Sequence, residues 1–268
     1  MKLKTKYLIK PESKVRLAHL KTDDDGGYKS KESAAPVLVK RQAALSEMQE
    51  LLWASQQKAL LIVLQGMDTA GKDGTISHIF SGVNPQGCDV ASFKVPTPLE
   101  SKHDFLWRVH AAVPPRGMIQ IFNRSHYEDV LAPRVHKEIS AKVVKQRIED
   151  INRFEETLAD NDVVILKFFL HISKEEQTRR LQSRLDTPAK HWKLSDADFK
   201  EREFWDAYTD AYEDVLSRTN HKHAPWFAIP ADVKWYRNIA ISEIIVDALE
   251  GLKLKYPKPT VDAKTIKL

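Results

Sequence analysis

Apolar residues along this chain fall into two patterns. In the first they run unbroken. Ala59-Leu60-Leu61-Ile62-Val63-Leu64 has no polar position, which suits a strand buried on both faces. Four more short runs share that character, at 89–95, 118–122, 163–172 and 226–229. In the second pattern apolar residues recur every three or four positions. Leu38, Ala43, Leu45, Met48, Leu51 and Leu52 mark a helix within 32–57. Further helices are expected over 72–81, 141–159, 174–185, 196–218 and 235–252. Thr97 and Glu100, like Ser173 and Glu176, have capping-box spacing, so a helix is also expected over 97–112, ended by Pro114-Pro115. Strands alternating with helices imply right-handed crossovers and a mostly parallel sheet covered on both sides. The expectation is a three-layer α/β domain with a five-stranded parallel sheet and an N-terminal helical extension.

Residues 1–28 are polar and contain the breaker Asp23-Asp24-Asp25-Gly26-Gly27, so they read as an extended arm. The expected division is an arm and helix at 1–57 packed on the core, a catalytic domain at 58–252 and a basic tail at 253–268. Residues 252–268 hold five lysines against one aspartate. The net charge of +5 points to an anionic partner without naming it. The longest apolar run is six residues, and a bilayer span needs ~20, so no membrane helix is expected. The N-terminus lacks an apolar signal core. The single cysteine, Cys88, excludes an internal disulfide and a cysteine zinc cluster. A cytoplasmic location is the expectation.

Gly66-Met67-Asp68-Thr69-Ala70-Gly71-Lys72 matches G-x-x-x-x-G-K between a strand and a helix. Glycines let such a loop curl so that backbone N–H groups converge on phosphate, and Lys72 reaches the outer phosphates. The Ser or Thr that usually follows the lysine is replaced by Asp73, which the next helix can use as a first-turn acid. Gly74 follows. A carboxylate in a phosphate loop repels phosphate unless a metal lies between them, so Asp68 reads as a Mg2+ ligand or a general base.

The second group is Asn123-Arg124-Ser125-His126-Tyr127-Glu128-Asp129, at the C-terminal end of the third strand, where open parallel sheets place their ligands. Arg124 can grip phosphates with two parallel donors, and Arg134 lies close in sequence. Asn123, Glu128 and Asp129 could touch metal, water or a base edge. His126 reads first as a structural hydrogen-bonder, because phosphoryl transfer to an anionic acceptor needs little acid–base help. The third group follows the fourth strand: Arg179, Arg180, Arg184, Lys190 and Lys193, either a lid over phosphates or a solvated helix balanced by Glu175 and Glu176. His221 and His223 read as loop residues rather than a metal pair.

Together LLIVLQGMDTAGKDGTISHIFSGVNPQG, VPTPLESKHDFLWRVH, IFNRSHYEDVL, ILKFFLHISKEEQTRRLQSRLDTPAKHWK and APWFAIPADVKWYRN resemble the polyphosphate kinase 2 family over about 51–252, in the family's order. The NRSHYED form resembles its class III members, which phosphorylate AMP and ADP. The resemblance implies a thymidylate-kinase-like P-loop fold with a lid at about 174–195. It implies reversible Mg2+-dependent transfer (Mn2+ being an alternative) from inorganic polyphosphate to AMP and ADP, giving ADP and ATP. Asp68 would be the metal-linked aspartate and Lys72 the phosphate-binding lysine. Arg124 would hold phosphates, and the five lid cations would line the donor path. Other members carry aspartate at Asn123, so this chain has one metal ligand weaker by a full charge. Glu128 becomes the candidate for nucleotide contact. The family suggests homodimers or homotetramers, with no specific nucleic acid and no membrane as partner. The alternatives are an ATP-dependent nucleoside monophosphate kinase and a non-catalytic polyanion binder.

Overall fold

The five apolar runs form five strands, β1 (Ala59–Gln65), β2 (Cys88–Ser92), β3 (Ile119–Asn123), β4 (Val163–His171) and β5 (Trp226–Pro230). The computed structural model describes residues 3–261, so part of the 253–268 tail lies outside the described residues. The sheet order is β2-β3-β1-β4-β5, and every neighbouring pair is parallel. β1 is therefore central, and all seven of its residues are buried. Burial of every position requires cover on both faces, as its unbroken apolar run implies.

In chain order the helices are α1 (Leu3–Lys6), α2 (Lys31–Ser55), α3 (Lys72–Ile79), α4 (Trp107–His110), α5 (Glu128–Val135), α6 (Ala141–Asp160), α7 (Lys174–Leu185), α8 (Asp196–Glu203), α9 (Trp205–Arg218) and α10 (Lys234–Gly251). They fall into two groups: α10 packs along α2 and against α3, whereas α5 packs against α6 and α9. α6 shows how sequence sets the packing. Ser140 caps its first turn, and Val144, Ile148, Ile151, Phe154 and Leu158 put one apolar stripe into the core. α10 has no polar stripe of that kind, because it lies between the sheet and α2, and twelve of its residues are buried.

Two expected helices are not continuous. The capping box at Thr97 and Glu100 forms, with Thr97 N donating to Glu100 Oε2 at 2.6 Å and Glu100 N to Thr97 Oγ1 at 3.2 Å. It closes only a short 3-10 turn at Glu100–Lys102, after which His103 is extended and the chain restarts at α4. The cap fixed one turn, but no apolar stripe followed to hold a longer helix. The expected 196–218 helix breaks at Phe204 into α8 and α9. Conversely, α5 follows the third strand where only a ligand-binding turn was expected. The box at Ser173 is half made. Its hydroxyl accepts from Glu176 N, but the Glu176 carboxylate is held by Arg179 and Arg180, each at 2.8 Å.

The arm covers one sheet edge. Ile9 N donates to Trp226 O at 3.0 Å and Ala228 N to Tyr7 O at 2.9 Å, so residues 7–9 run antiparallel along β5. An edge strand's unpaired amides are thereby satisfied. From β1 the chain moves to one side of the sheet and then to the other, which opens a crevice above the C-terminal ends of the central strands.

Candidate active site

The loop after β1 carries its own geometry. Thr69 is left-handed (φ 64°), Gly71 has φ 103°, and Ala70 N donates to Met67 O at 3.1 Å. Gly71 ends the loop as the residue before α3, and a β-carbon there would stand 2.1 Å from Arg237 Nη1, so only glycine fits. Lys72 opens α3 and folds back over the loop, its Nζ donating to Gly66 O at 2.8 Å. It is buried, and burial together with the Arg124 charge lowers its pKa to about 8.

Arg124 follows β3 in a left-handed conformation (φ 62°), anchored by its N–H on Leu64 O at 3.1 Å. That bend turns its guanidinium back toward the loop. Nη2 donates to Asp68 Oδ1 at 2.6 Å and Nη1 to Glu128 Oε2 at 3.0 Å. Burial opposes the charge on Arg124, but Glu128 and Asp68 outweigh it and hold the pKa above the ordinary arginine value. Gln65 Nε2 donates to the other Glu128 oxygen at 3.2 Å, and Asn123 Nδ2 to Asp73 Oδ1 at 2.7 Å. The two sequence motifs therefore meet side chain to side chain. Asp73 is bonded to Asn123 and lines the cleft.

Two arginines brace the loop from behind. Arg180 Nη1 donates to Thr69 O and Ala70 O, each at 2.9 Å, and Nη2 to Ala231 O and Asp232 O. Arg237, on α10, donates to Ala70 O at 3.0 Å and to Asn238 Oδ1. It is 2% exposed, all its partners are neutral oxygens, and burial with the neighbouring Arg180 charge lowers its pKa to about 9. Arg237 was not singled out from the sequence. It lies beyond β5, on a helix whose stripe gave no sign of pointing at the loop.

A cleft of about 750 Å³ opens above these groups. The loop supplies Asp68, Thr69, Gly71, Lys72, Asp73 and Gly74, while Asn123 and Arg124 come from the turn after β3. The segment after β4 supplies Arg180, Arg184, Lys190, Trp192 and Lys193. Lys94, Lys31, Lys234 and Arg237 complete the charged lining. Ten lysines and arginines thus face two carboxylates, a balance suited to a polyanion. A second, narrower recess adjoins it, lined by Met67, Asp68, Arg124, Glu128, Gln177, Trp205, Tyr208 and Tyr212 among others. Gly66 lines this recess as well. Among the described residues, only Asp68 and Arg124 line both. The aromatic trio comes from α9, where sequence analysis saw a helix and no site.

Several sequence candidates lie elsewhere. His126 is fully buried, with Nε2 3.1 Å from Glu155 Oε1, so it is a structural hydrogen-bonder rather than a nucleotide contact. Asp129 accepts from Arg108 at 3.0 Å. Arg134 pairs with Asp214, and Arg179 points outward beside Glu176, 70% exposed. Ala70 is buried in the loop interior. Behind the turn lies a closed network: Lys167 Nζ reaches Glu155 Oε2 at 2.5 Å, Tyr127 Oη at 2.9 Å and Thr219 O at 2.6 Å. His221 and His223 stack ring on ring at 5.3 Å.

The donor set around the loop is two carboxylates and amide oxygens, hard oxygen ligands of the kind Mg2+ takes. Among the described residues no group of three or more His, Cys, Asp or Glu gathers as a metal cage. The remaining ligands of such an ion would have to be phosphate oxygens and water, the usual arrangement where a metal binds with its substrate. The assembly can hold a polyanion along the cleft, whereas the adjoining recess, about 30 Å³, has room for little more than a water molecule as it stands.

The family model for Polyphosphate kinase 2 (PPK2) matches residues 28–257 of the chain. The chain is 47% identical over 262 residues to the AMP/ADP-polyphosphate phosphotransferase of Meiothermus ruber, covering 97% of this chain and 98% of that protein. It is 45% identical over 273 residues to the ADP-polyphosphate phosphotransferase of Rhodopseudomonas palustris, covering 97% and 94%. Among solved structures, polyphosphate kinase 2 from Arthrobacter aurescens TC1 superposes with a TM-score of 0.95 at 42% identity, over 98% of this chain and 94% of that one.

Proposed function

The chain belongs to the polyphosphate kinase 2 family, and from that membership and its site we infer that it phosphorylates AMP and ADP with inorganic polyphosphate as donor. The observation that carries the reading is the meeting of two recesses at Asp68 and Arg124. The cationic cleft suits the donor chain. The aromatic recess, about 30 Å³ as it stands, would have to open to take a nucleotide, with Trp205 and Tyr208 then offering flat surfaces to a base and Glu128 a hydrogen-bond acceptor. Bringing two phosphate chains together is resisted by like charge, each pair costing ~4 kcal/mol at 4 Å and an effective dielectric of 20. Lys72, Arg124, Arg184, Lys190 and Lys193 offset that repulsion.

Phosphoryl transfer asks the protein chiefly for positioning and charge stabilisation. Lys72 and the loop amides hold the donor's terminal units. Arg124 stands where the donor and acceptor phosphates meet, so its fork can follow charge as it spreads over the moving group. The lid at about 174–195 closes over the cleft and excludes water, which prevents hydrolysis of the donor. Asp68 and Asn123 would hold Mg2+, which would neutralise phosphate charge and orient the chains. The charge lost at Asn123 is supplied in part by Asp73, its hydrogen-bond partner. ATP is both final product and, in reverse, a donor. We also assign a homo-oligomer, dimer or tetramer, acting in the cytoplasm, to be checked by light scattering of the purified chain.

The test incubates purified protein with Mg2+, AMP and long-chain polyphosphate, following ADP and ATP by chromatography, beside a tube with ATP and AMP alone. ADP and then ATP appearing only with polyphosphate is the expected result, lost in Asp68→Ala. ADP without ATP restricts the enzyme to one phosphorylation. Exchange with ATP alone overturns the donor assignment.

A further inference from the structure

We propose that Glu155, on α6, and Lys167, on β4, are positioning residues for the transfer step: through Tyr127 and His126 they set the turn that aims Arg124 at Asp68. This rests on the reading above that Arg124 serves phosphoryl transfer. Both groups are fully buried, and they line neither the cleft nor the recess. Each interrupts an apolar surface. α6 otherwise turns Val144, Ile148, Ile151, Phe154 and Leu158 inward, and Lys167 stands between the buried Leu166 and Phe168. A buried ion pair is weak support for stability, since apolar side chains of similar volume hold a core as well. What this pair adds is a fixed set of hydrogen bonds behind the turn.

Tyr127 Oη donates to Glu155 Oε1 at 2.7 Å, and His126 Nε2 lies 3.1 Å from the same oxygen. Burial opposes the Glu155 charge, but Lys167 and His126 outweigh it and hold the carboxyl below its ordinary pKa. An ionised carboxylate only accepts, so His126 carries its proton on Nε2 and donates. Lys167 holds the other oxygen at 2.5 Å and also reaches Tyr127 Oη and Thr219 O. One carboxylate oxygen thus pins two successive residues of the turn. Arg124 precedes them in a left-handed conformation (φ 62°), and Glu128, which holds Arg124 Nη1, follows them. A residue other than glycine keeps such a backbone where its surroundings over-determine it. The bond from Arg124 N to Leu64 O fixes one end of the turn, and Glu155 fixes the other. Without that second anchor the turn relaxes and the guanidinium swings off Asp68, and a displacement of ~1 Å costs about a hundredfold in rate.

The test compares two double variants that both remove the buried charges. In Glu155→Gln with Lys167→Met, the amide oxygen still accepts from Tyr127 and His126. In Glu155→Leu with Lys167→Met, leucine offers no acceptor. With AMP and long-chain polyphosphate, kcat should fall about ten- to a hundredfold in the leucine pair, with the donor KM changed less than about twofold, and stay within about threefold of wild type in the glutamine pair. Thermal melts fix an assay temperature at which each variant is folded. If the leucine pair does not fold, Tyr127→Phe removes a single hydroxyl in its place, and kcat should fall about three- to tenfold. In an Arg124→Lys background either loss should vanish, because it acts through Arg124. Equal kcat in the leucine and glutamine pairs, a loss confined to KM, or a loss that adds to Arg124→Lys overturns the proposal. The NMR signal of the Arg124 Nε–H, assigned by its absence in Arg124→Lys, reads the same effect without turnover. It should shift in the leucine pair and hold its place in the glutamine pair. If the wild type turns over no polyphosphate, the donor reading fails and this signal still decides the positioning role. A signal that moves in neither pair, or equally in both, overturns it.

Discussion

Arg124 Nη2 lies 2.6 Å from Asp68 Oδ1, and this pair stands at the boundary between the cationic cleft and the aromatic recess. The contact joins residues 56 positions apart in the chain, one from each of the two turns at the ends of neighbouring strands β1 and β3. A salt bridge at that point holds the arginine's fork between Asp68 and Glu128 before any substrate is engaged.

Arg124→Lys keeps the charge and loses the fork. Removing one oriented donor to developing charge costs about 10²–10³ in rate, so kcat should fall by that factor while the donor KM changes little. Steady-state kinetics with AMP and polyphosphate decide it. A variant retaining more than about a tenth of kcat would place Arg124 outside the charge-stabilising role.

Lys72 gives opposite pH trends in activity and stability. Its pKa is lowered from 10.5 to about 8 by burial, with Arg124 adding to the shift. The ammonium that attracts phosphate is lost above pH 8, so kcat/KM for the donor, which reports the free enzyme, should fall on that side. Unfolded, the same lysine keeps its proton up to about 10.5. The unfolded state therefore binds more protons between the two values, and this group's contribution to stability rises with pH across that window. Lys72→Met should flatten the stability trend in denaturant titrations taken at several pH values. An unchanged trend would assign it to other groups.

Gly71→Ala and Gly74→Ala separate two kinds of glycine. At Gly71 the backbone is left-handed and the new methyl meets Arg237 Nη1 at 2.1 Å. The strain should cost about 1–3 kcal/mol and loosen the loop, raising the donor KM. At Gly74, inside α3, the nearest contact is an unstrained 3.7 Å, and alanine should stabilise by up to ~1 kcal/mol. Thermal melts of both variants give the comparison, and equal destabilisation would show that Arg237 does not brace the loop.

The buried network behind Arg124 predicts a non-additive pair. Lys167→Met leaves Glu155 charged in the core and should destabilise by about 3–5 kcal/mol. Pairing it with Glu155→Leu should recover much of the loss, since neither charge then remains. The equilibrium stability of the three variants checks it. Full additivity would mean that the ion pair is not coupled.

What was legible in the sequence followed from local pattern. β1 and β4 show as apolar runs because both of their faces are covered, and the G-x-x-x-x-G-K loop follows from its own spacing. Arg180 was visible as a lid cation, but its bonds to Thr69 O and Ala70 O cross more than a hundred positions, and no periodicity encodes that. The same holds for Arg237 and for the α9 aromatics. The 97–112 helix shows the converse limit. Its capping box was correctly read and does form, yet one satisfied turn does not propagate without a core-facing stripe.

The arm along β5 has a consequence for how the chain is made. Tyr7 and Tyr236, whose hydroxyls lie 2.7 Å apart, are separated by 229 positions, so this edge closes only after the segment carrying Tyr236 has emerged from the ribosome. Contacts of such long sequence separation slow folding. Until then the first residues have no partner strand, and β5 has an open flank. Residues 7–9 can therefore pair with β5 only once residues 226–230 have been made, which ties the closing of that sheet edge to a segment far along the chain.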